Sequence, residues 1–167
     1  MTRWRRQNVR MPKAGFWAIE NKSIRFGRDG RWYADDAPIE NQRIADLFSR
    51  HVTREQDGSW WLRIGDERAK IVVEDTPYVV TRVDGDAEAG FRITLNDGTS
   101  EPLAASSLTL GKDDVLYVDV KGGAFRARFL RAAQAELLSH VEMDGDRFVL
   151  RLPSGTHEIA QDAARCS

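Results

Sequence analysis

The residues with the clearest capacity for chemistry are aromatic side chains close to cationic ones. Trp32 and Tyr33 are adjacent on a predicted strand, so they point to opposite faces of a sheet. One of them can then fill the core while the other stays at the surface. An aromatic ring beside Arg25, Arg54 or Lys70 would form a surface that suits a planar anionic ligand. The alternative is ordinary cross-strand packing of the aromatic rings, which involves no ligand.

An acidic pair, Glu74 and Asp75, precedes Thr76 and Pro77. Adjacent residues of a strand face opposite sides, so these carboxylates cannot form a catalytic dyad. One interpretation is a strand end followed by a turn, with Asp75 accepting hydrogen bonds from nearby backbone N–H groups. The other places Glu74 or Asp75 at a boundary between two domains, where it would accept a hydrogen bond from a ligand. The sequence leaves both interpretations open.

The remaining reactive residue types do not form a catalytic or metal-binding pattern. His51, His140 and His157 lack the spacing of metal ligands. The first two lie near the C-termini of predicted helices, where a histidine interacts favourably with the helix dipole. Ser49 and His51 are two positions apart on a helix and do not face each other, so they are not a nucleophile–base pair. Cys166 is the single cysteine, which excludes an intrachain disulfide and a cysteine-based zinc site. We therefore expect no enzymatic activity, no metal and no cofactor.

The charge balance limits the classes of partner. The chain has 167 residues, with 25 Lys and Arg against 26 Asp and Glu, which argues against a dedicated binder of nucleic acid. No apolar run approaches the length of about 20 residues that a membrane helix needs, so we expect a cytoplasmic protein without a membrane partner. The first 16 residues are rich in arginine. We interpret them as a disordered basic arm, the alternative being a tether to nucleic acid or another anionic surface.

Beyond residue 20 the sequence has the turn signals of β-structure. Asp-Gly occurs five times and suits the type I′ turn of a tight hairpin. The predicted strands are 24–26, 31–33, 52–56, 60–64, 71–73, 78–83, 91–95, 115–120 and 148–152. Two stretches have the spacing of an amphipathic helix: Ile44, Leu47, Phe48 and His51 after Pro38, and Leu130, Ala133, Leu137, Leu138 and Val141 after Gly122 and Gly123. Helices this short need a sheet to pack on, so we predict an α+β fold with mostly antiparallel sheets.

An internal repeat relates the two helical regions. Residues 45–49 correspond to residues 135–139, Asp57-Gly58 corresponds to Asp144-Gly145, and residues 60–64 correspond to residues 148–152. The shared unit is a strand, a helix and a hairpin. We predict a basic N-terminal arm (1–16), an N-terminal repeat domain (17–77) and a C-terminal repeat domain (78–162). The boundary lies at Thr76-Pro77, because the residue before proline favours an extended conformation.

Several short motifs occur in a characteristic order. They are IRFGRDGRWY (24–33), API (37–39), LF (47–48), RE (54–55), DG (57–58) and VEDTPY (73–78). Together they resemble the bacterial family called domain of unknown function 1285, over roughly residues 20 to 140. The resemblance implies two duplicated β-rich domains, the second superficially like a pleckstrin-homology fold. It also implies a pocket for a nucleotide-like molecule at the domain interface and a role in signalling. The chain departs from the family before Ile24, which lacks a Cys-Gly-Asp-like entry, and at Ala133-Gln134-Ala135, where aromatic residues are expected.

We interpret the chain as a non-enzymatic ligand-sensing or regulatory protein that binds a small anionic, nucleotide-like molecule at the domain interface. In this hypothesis cations supply charge, aromatic rings stack and acids orient the ligand. The candidate binding residues are Arg25, Trp32, Tyr33, Arg54, Lys70, Glu74 and Asp75. The alternative is a protein-interaction module without a small-molecule ligand, an analogy with pleckstrin-homology-like folds.

Overall fold

Short strands joined by tight turns make up most of residues 22–162, the part of the chain that this computed structural model describes. The predicted basic arm (1–16) and Cys166 lie outside the described residues. Within 22–162 the two α-helices are eight residues long, and no helix is long and apolar enough to cross a membrane. We call residues 22–77 the N-terminal half and residues 78–162 the C-terminal half.

The N-terminal half contains one six-stranded sheet and one helix. Its elements are β1 (Ile24–Phe26), β2 (Trp32–Ala34), β3 (Ala37–Pro38), α1 (Gln42–Ser49), β4 (Val52–Arg54), β5 (Trp60–Ile64) and β6 (Glu67–Val73). The strand order is β3-β2-β1-β6-β5-β4, and only the β1–β6 pair is parallel. Asn41 caps the N-terminus of helix α1, because its side chain accepts hydrogen bonds from the backbone N–H groups of Arg43 and Ile44. It buries Phe48 against the sheet.

The C-terminal half contains a seven-stranded sheet, a three-stranded sheet and the second helix. Its elements are β7 (Tyr78–Asp86), β8 (Gly90–Leu95), β9 (Ser100–Pro102), β10 (Thr109–Leu110), β11 (Leu116–Val120), β12 (Phe125–Phe129), α2 (Arg131–Leu138), β13 (Glu142–Asp144), β14 (Arg147–Leu152), β15 (Gly155–Glu158) and β16 (Ala160–Gln161). The larger sheet has the order β16-β10-β11-β12-β7-β8-β9, with parallel pairs β10–β16 and β7–β12. Strands β13, β14 and β15 form an antiparallel meander.

The buried apolar side chains form two clusters, one in each half. Two residues of the C-terminal half nevertheless pack in the N-terminal cluster: Val79, at the start of β7, and Leu130, just before α2. Val79 is nearly fully buried there. The two cores are therefore joined through apolar contacts at the point where the chain passes from one half to the other.

The predicted β-rich fold with few helices is confirmed, and the two larger sheets are mixed because three strand pairs within residues 22–162 are parallel. Seven strands were absent from the sequence-based assignment, namely β3, β9, β10, β12, β13, β15 and β16, and β12 is the longest of them. Gly122 and Gly123 were interpreted as the approach to a helix, but both have positive φ angles and lie in the turn between β11 and β12. Glycine adopts this left-handed backbone region without strain, which is what the turn requires.

The predicted type I′ turns at Asp-Gly are wrong in detail. At Asp29-Gly30 only the glycine has positive φ; Gly30 N–H donates to the carbonyl of Gly27 at 3.0 Å and Gly27 N–H to that of Arg31 at 2.8 Å. This is a type I turn followed by a glycine bulge, and Asp57-Gly58 and Asp97-Gly98 repeat it. The aspartate carboxylate accepts from the backbone N–H two residues later, at 3.1 Å for Asp29, which favours this turn. Positive φ at both central residues of a two-residue loop occurs instead at Asp35 and Asp36, between β2 and β3.

Candidate functional site

A cleft of about 350 Å³ lies where the turn after β8 meets strand β2 and helix α1. Its volume is within the range typical of small-molecule sites. Arg31, Glu40, Gln42 and Ser49 line it from the N-terminal half, and Asn96 lines it from the C-terminal half. The cleft therefore lies at the junction between the two halves and is built from both.

The floor of this cleft is a hydrogen-bonded group of three side chains. Trp32 Nε1–H donates to Ser49 Oγ at 3.0 Å, and the side-chain amide of Asn96 donates to the same oxygen at 3.0 Å. Ser49 is only 2% exposed because it lies on the last turn of α1, against the sheet. The Ser49–Asn96 bond links residues 47 positions apart in the sequence, so it ties α1 directly to the C-terminal half.

A second set of polar contacts fixes the turn that carries Asn96. Arg50 Nε–H donates to the carbonyl oxygen of Asp97 at 3.2 Å, and Lys121 Nζ lies 2.7 Å from the Asp97 carboxylate. Burial would raise the pKa of Asp97, but hydrogen bonds from Lys121 and Thr99 outweigh it and lower that pKa below its ordinary value. The carboxylate is therefore ionised at neutral pH and anchors the turn between β11, β9 and α1.

The rim of the cleft carries one side chain of each charge. Arg31 and Glu40 are exposed, and neither forms a salt bridge with another residue of 22–162. The Arg31 guanidinium is thus available to an anionic group at the mouth of the cleft, while Glu40 would repel it. A ligand that carries charge must place its anionic end on the Arg31 side.

Of the predicted binding residues, Trp32 lies in the core rather than at the surface. It is 1% exposed, with the rings of Phe26 and Phe48 at centroid distances of 4.8 and 5.5 Å. The predicted stacking of a ligand on Trp32 is therefore incompatible with its position, because no face of the ring is open. Trp32 contributes to the cleft through its indole N–H, which donates a hydrogen bond to Ser49 Oγ.

Arg25, Tyr33 and Glu74 come together, but on the outer face of the N-terminal sheet. Arg25 lies over the Tyr33 ring at 4.1 Å from its centroid, and its Nη1 donates to Glu74 at 2.5 Å. Glu74 also accepts a hydrogen bond from the backbone N–H of Arg28 at 3.0 Å. These residues form hydrogen bonds and contacts with one another across β1, β2 and the end of β6, and they do not line the cleft.

Lys70 and Arg54 lie elsewhere in the same half. Lys70 is exposed on β6 and pairs across the sheet with Trp61 of β5. Arg54 lies over the Trp60 ring at 5.2 Å, and Trp60 in turn contacts Phe125 of the C-terminal half, with 6.2 Å between ring centroids. Arg54 therefore lies beside the junction through its contact with Trp60, whereas Lys70 faces away from the junction.

Asp75 is a structural residue of the junction. Its carboxylate accepts a hydrogen bond from the Tyr117 hydroxyl at 2.8 Å and pairs with the Arg128 guanidinium at 3.0 Å. The nearby turn is fixed by Thr76 instead, whose hydroxyl donates to the carbonyl of Tyr78 at 2.7 Å and accepts from the backbone N–H of Arg128 at 3.1 Å. The Asp75 carboxylate thus contacts side chains of the C-terminal half.

Apart from Trp32, the residues that form the cleft were not singled out as binding residues by the sequence. Ser49 was considered only as a nucleophile, and nothing in local spacing connects it with Asn96. An Asn directly before an Asp-Gly turn was the available signal, because asparagine frequently bonds to the backbone beside turns. Within residues 22–162 no group of three or more metal-ligand side chains could hold an ion.

A second cavity, of about 610 Å³, lies within the C-terminal half between the β7–β8 hairpin and Pro153. Apolar side chains such as Phe91, Leu103 and Leu152 line it. It contains side chains of one half only, so it differs from the cleft in both composition and location.

Comparison with known proteins finds a family match over part of the chain and a similar fold. Residues 9–76 match the family described as "Domain of unknown function (DUF1285), N-terminal domain". The structure is similar to a DUF1285 family protein from Silicibacter pomeroyi DSS-3, with a TM-score of 0.65 and 22% identity over 82% of this chain and 79% of that one. It is also similar to a DUF1285 family protein from Shewanella baltica OS155, with a TM-score of 0.56 and 19% identity over 72% of this chain and 93% of that one. No curated protein matches the chain. The predicted resemblance to this family is confirmed.

Proposed function

We propose that this chain, which carries the DUF1285 N-terminal domain over residues 9–76, is a ligand-sensing or regulatory protein without a catalytic step. Its ligand is a small anionic, nucleotide-like molecule that binds in the cleft between the two halves. The observation that carries the proposal is the composition of the cleft: Ser49 and Asn96, from different halves, meet at its floor. A ligand that contacts the floor would change how firmly the halves are held together.

In this proposal Arg31 binds the anionic group of the ligand. Its guanidinium is exposed at the rim and has no ion-pair partner within residues 22–162. Arg25, by contrast, is paired with Glu74, with its Nη1 2.5 Å from the carboxylate oxygen. An anion binds more readily to a cation that is not already neutralised, because no existing ion pair must be broken.

A thermal-shift screen of the purified protein against nucleotides, nucleotide second messengers and dinucleotide cofactors tests this proposal. A ligand at 100 times its dissociation constant stabilises the fold by about 2.7 kcal/mol. For a chain of this size that corresponds to a shift of several degrees in Tm. We expect Arg31→Ala to reduce the shift. Arg68→Ala is the matched control, because Arg68 lies over the Trp61 ring at 4.8 Å on the outer face of the sheet.

Two results would count against the cleft. A flat screen with a well-folded protein would refute the small-molecule function. A shift that is abolished by Lys70→Ala or Arg25→Ala, and unaffected by Arg31→Ala, would move the binding site to the outer face of the N-terminal sheet, where both residues lie.

A protein-interaction module remains the second proposal, and one observation favours it. Met143 and Phe148 are cross-strand partners on the β13–β14 hairpin, yet they are 59% and 42% exposed. Exposed apolar pairs of this kind are common at protein interfaces. Concentration-dependent association that disappears in Phe148→Ser, combined with a flat ligand screen, would support this function over ligand sensing.

We also propose that residues 42–73 and 131–159 are copies of one duplicated unit. Each has an eight-residue helix followed by three antiparallel strands. Leu62 pairs with Ala69, and Leu150, 88 residues after Leu62, pairs with His157, which is 88 residues after Ala69. The β5–β6 and β14–β15 pairs thus share a register at a constant offset, which supports duplication, while the β13–β14 register differs by one residue from that of β4–β5. The pleckstrin-homology-like character of the C-terminal half stays a prediction.

A further inference from the structure

The orientation of the Asn96 side chain is determined by its neighbours. The backbone N–H of Val79 lies 2.9 Å from Asn96 Oδ1. A backbone N–H can only donate, so the amide oxygen must face Val79 and the amide nitrogen must face the other way. That nitrogen lies 3.0 Å from Ser49 Oγ and donates to it.

The second neighbour of Ser49 is also a donor. The indole nitrogen of Trp32 has no acceptor capacity, and it lies 3.0 Å from Ser49 Oγ. A hydroxyl group offers two acceptor positions and one proton. Trp32 and Asn96 therefore occupy both acceptor positions of Ser49, and only the hydroxyl proton remains.

The proton of this buried hydroxyl has no acceptor in the described part of the chain, although Ser49 itself is 2% exposed and lines the cleft. A buried donor without a partner is unfavourable, because it has lost its hydrogen bond to water. The indole N–H and one amide N–H at the floor of the cleft already donate to Ser49 Oγ, so the hydroxyl proton of Ser49 is the donor there that has no acceptor. Such a floor suits an acceptor oxygen and rejects a ligand that presents an amine at this point.

We propose that Ser49 donates its hydroxyl proton to an anionic oxygen of the ligand, a phosphate or carboxylate oxygen. This proposal rests on the proposed function of the cleft and assigns the chemistry of its floor. Trp32 and Asn96 act as positioning residues, since they hold the Ser49 oxygen from behind and leave its proton directed to the ligand. Arg31 at the rim contributes positive charge to the same anionic group or to a second one.

The indole N–H of Trp32 provides a direct readout. When the Ser49 hydroxyl donates to an anion, its oxygen becomes a stronger acceptor, since hydrogen bonds in a chain reinforce one another. We expect the indole proton of Trp32 to move downfield in a ¹H–¹⁵N spectrum as inorganic phosphate or acetate is added, in a saturable way. Sodium chloride and methylammonium chloride at equal ionic strength are the controls, and neither should move it. Trp32→Phe assigns the signal.

Variants at Ser49 separate the hydroxyl from the surrounding cleft. We expect Ser49→Ala to weaken phosphate binding about tenfold or more, the loss typical of one hydrogen bond to a charged group. Ser49→Thr retains the hydroxyl and should retain binding. If Ser49→Ala does not fold, the titration of the wild-type Trp32 signal decides alone.

The outcomes distinguish this inference from the proposed function. A nucleotide that stabilises the protein through Arg31, with no change of the Trp32 signal and no effect of Ser49→Ala, would overturn the inference and leave the function standing. A response to methylammonium as strong as the response to phosphate would also overturn it. Failure of every anion, nucleotides included, to bind would overturn both.

Discussion

At the scale of single residues, Tyr78 links the chemistry of the junction to pH. It is 5% exposed, its ring contacts Phe125 at a centroid distance of 5.3 Å, and Asp97 and Glu101 lie near it. Burial, assisted by the negative charge of these two carboxylates, raises the pKa of Tyr78 to about 12. The neutral phenol is therefore strongly preferred in the folded state.

We expect alkaline pH to destabilise the fold through Tyr78. Because its folded pKa exceeds its unfolded value of 10.0, its contribution is complete below pH 10 and is lost as pH rises towards about 12. The full loss is on the order of 2 to 3 kcal/mol, of which about 1.4 kcal/mol is incurred by pH 11. Urea unfolding at pH 8 and at pH 11 measures it. The wild type should lose more stability between these values than Tyr78→Phe, and equal losses would show that Tyr78 does not titrate as its burial requires.

At the scale of elements, the turn between β1 and β2 is shaped by its contact with the C-terminal half. Gly30 has a φ of +78°, and a Cβ there would lie 2.7 Å from Val79 Cγ2. Gly58 occupies the same position of the turn between β4 and β5, with a φ of +84° and no atom nearer than Arg54 Nη2 at 3.7 Å. The two glycines thus share a backbone conformation and differ in what lies next to them.

This difference gives a matched pair of variants. We expect Gly58→Ala to cost about 1 kcal/mol, because alanine is strained in the left-handed region. Gly30→Ala should cost about 1 to 3 kcal/mol more, since the added methyl group also displaces Val79. Chemical denaturation of both variants measures the difference. Equal losses would mean that the β1–β2 turn does not press against β7.

The elements were predictable where local chemistry determines them. The stripe of Ile44 and Phe48 indicated α1, because one apolar face and the Asn41 cap suffice for a short helix on a sheet. Strand β12 was missed because Gly122 and Gly123 permit a hairpin turn as readily as a helix approach, and only pairing with β7 and β11 decides between them. The lining residues of the cleft other than Trp32 were missed for the same reason. Ser49 and Asn96 meet through the packing of two halves, which no local spacing records.

At the scale of the whole molecule, the tryptophans allow the two halves to be followed separately. All five lie between residues 4 and 61, so tryptophan fluorescence reports mainly on the N-terminal part of the chain, while Trp60 also senses its contact with Phe125 of the C-terminal half. Far-ultraviolet circular dichroism reports on the helices and sheets of both halves. Coincident unfolding curves from the two methods are the test for a single cooperative unit. We expect coincidence in the wild type, because Val79 and Leu130 extend the N-terminal core into the C-terminal half.

Asn96 is the side chain on which this coupling depends most directly. It accepts from the backbone N–H of Val79 and donates to Ser49, so it connects β7, the turn after β8 and α1. We expect Asn96→Ala to lower stability by about 1 to 3 kcal/mol, since it leaves a buried N–H without a partner. It should also separate the fluorescence and circular dichroism curves, with the N-terminal half unfolding independently.

Gln134→Ala is the control for that experiment. The Gln134 amide also bridges two backbone groups, accepting from Leu116 N–H at 2.9 Å and donating to the carbonyl of Asp114 at 2.7 Å, but all three residues belong to the C-terminal half. Its loss should lower stability by a similar amount and leave the two curves coincident. Coincident curves in Asn96→Ala would show that the apolar contacts of Val79 and Leu130 hold the halves together without it. A ligand at the cleft floor would then have little effect on how firmly the two halves are held together, because the Asn96–Ser49 hydrogen bond beside it would not determine their coupling.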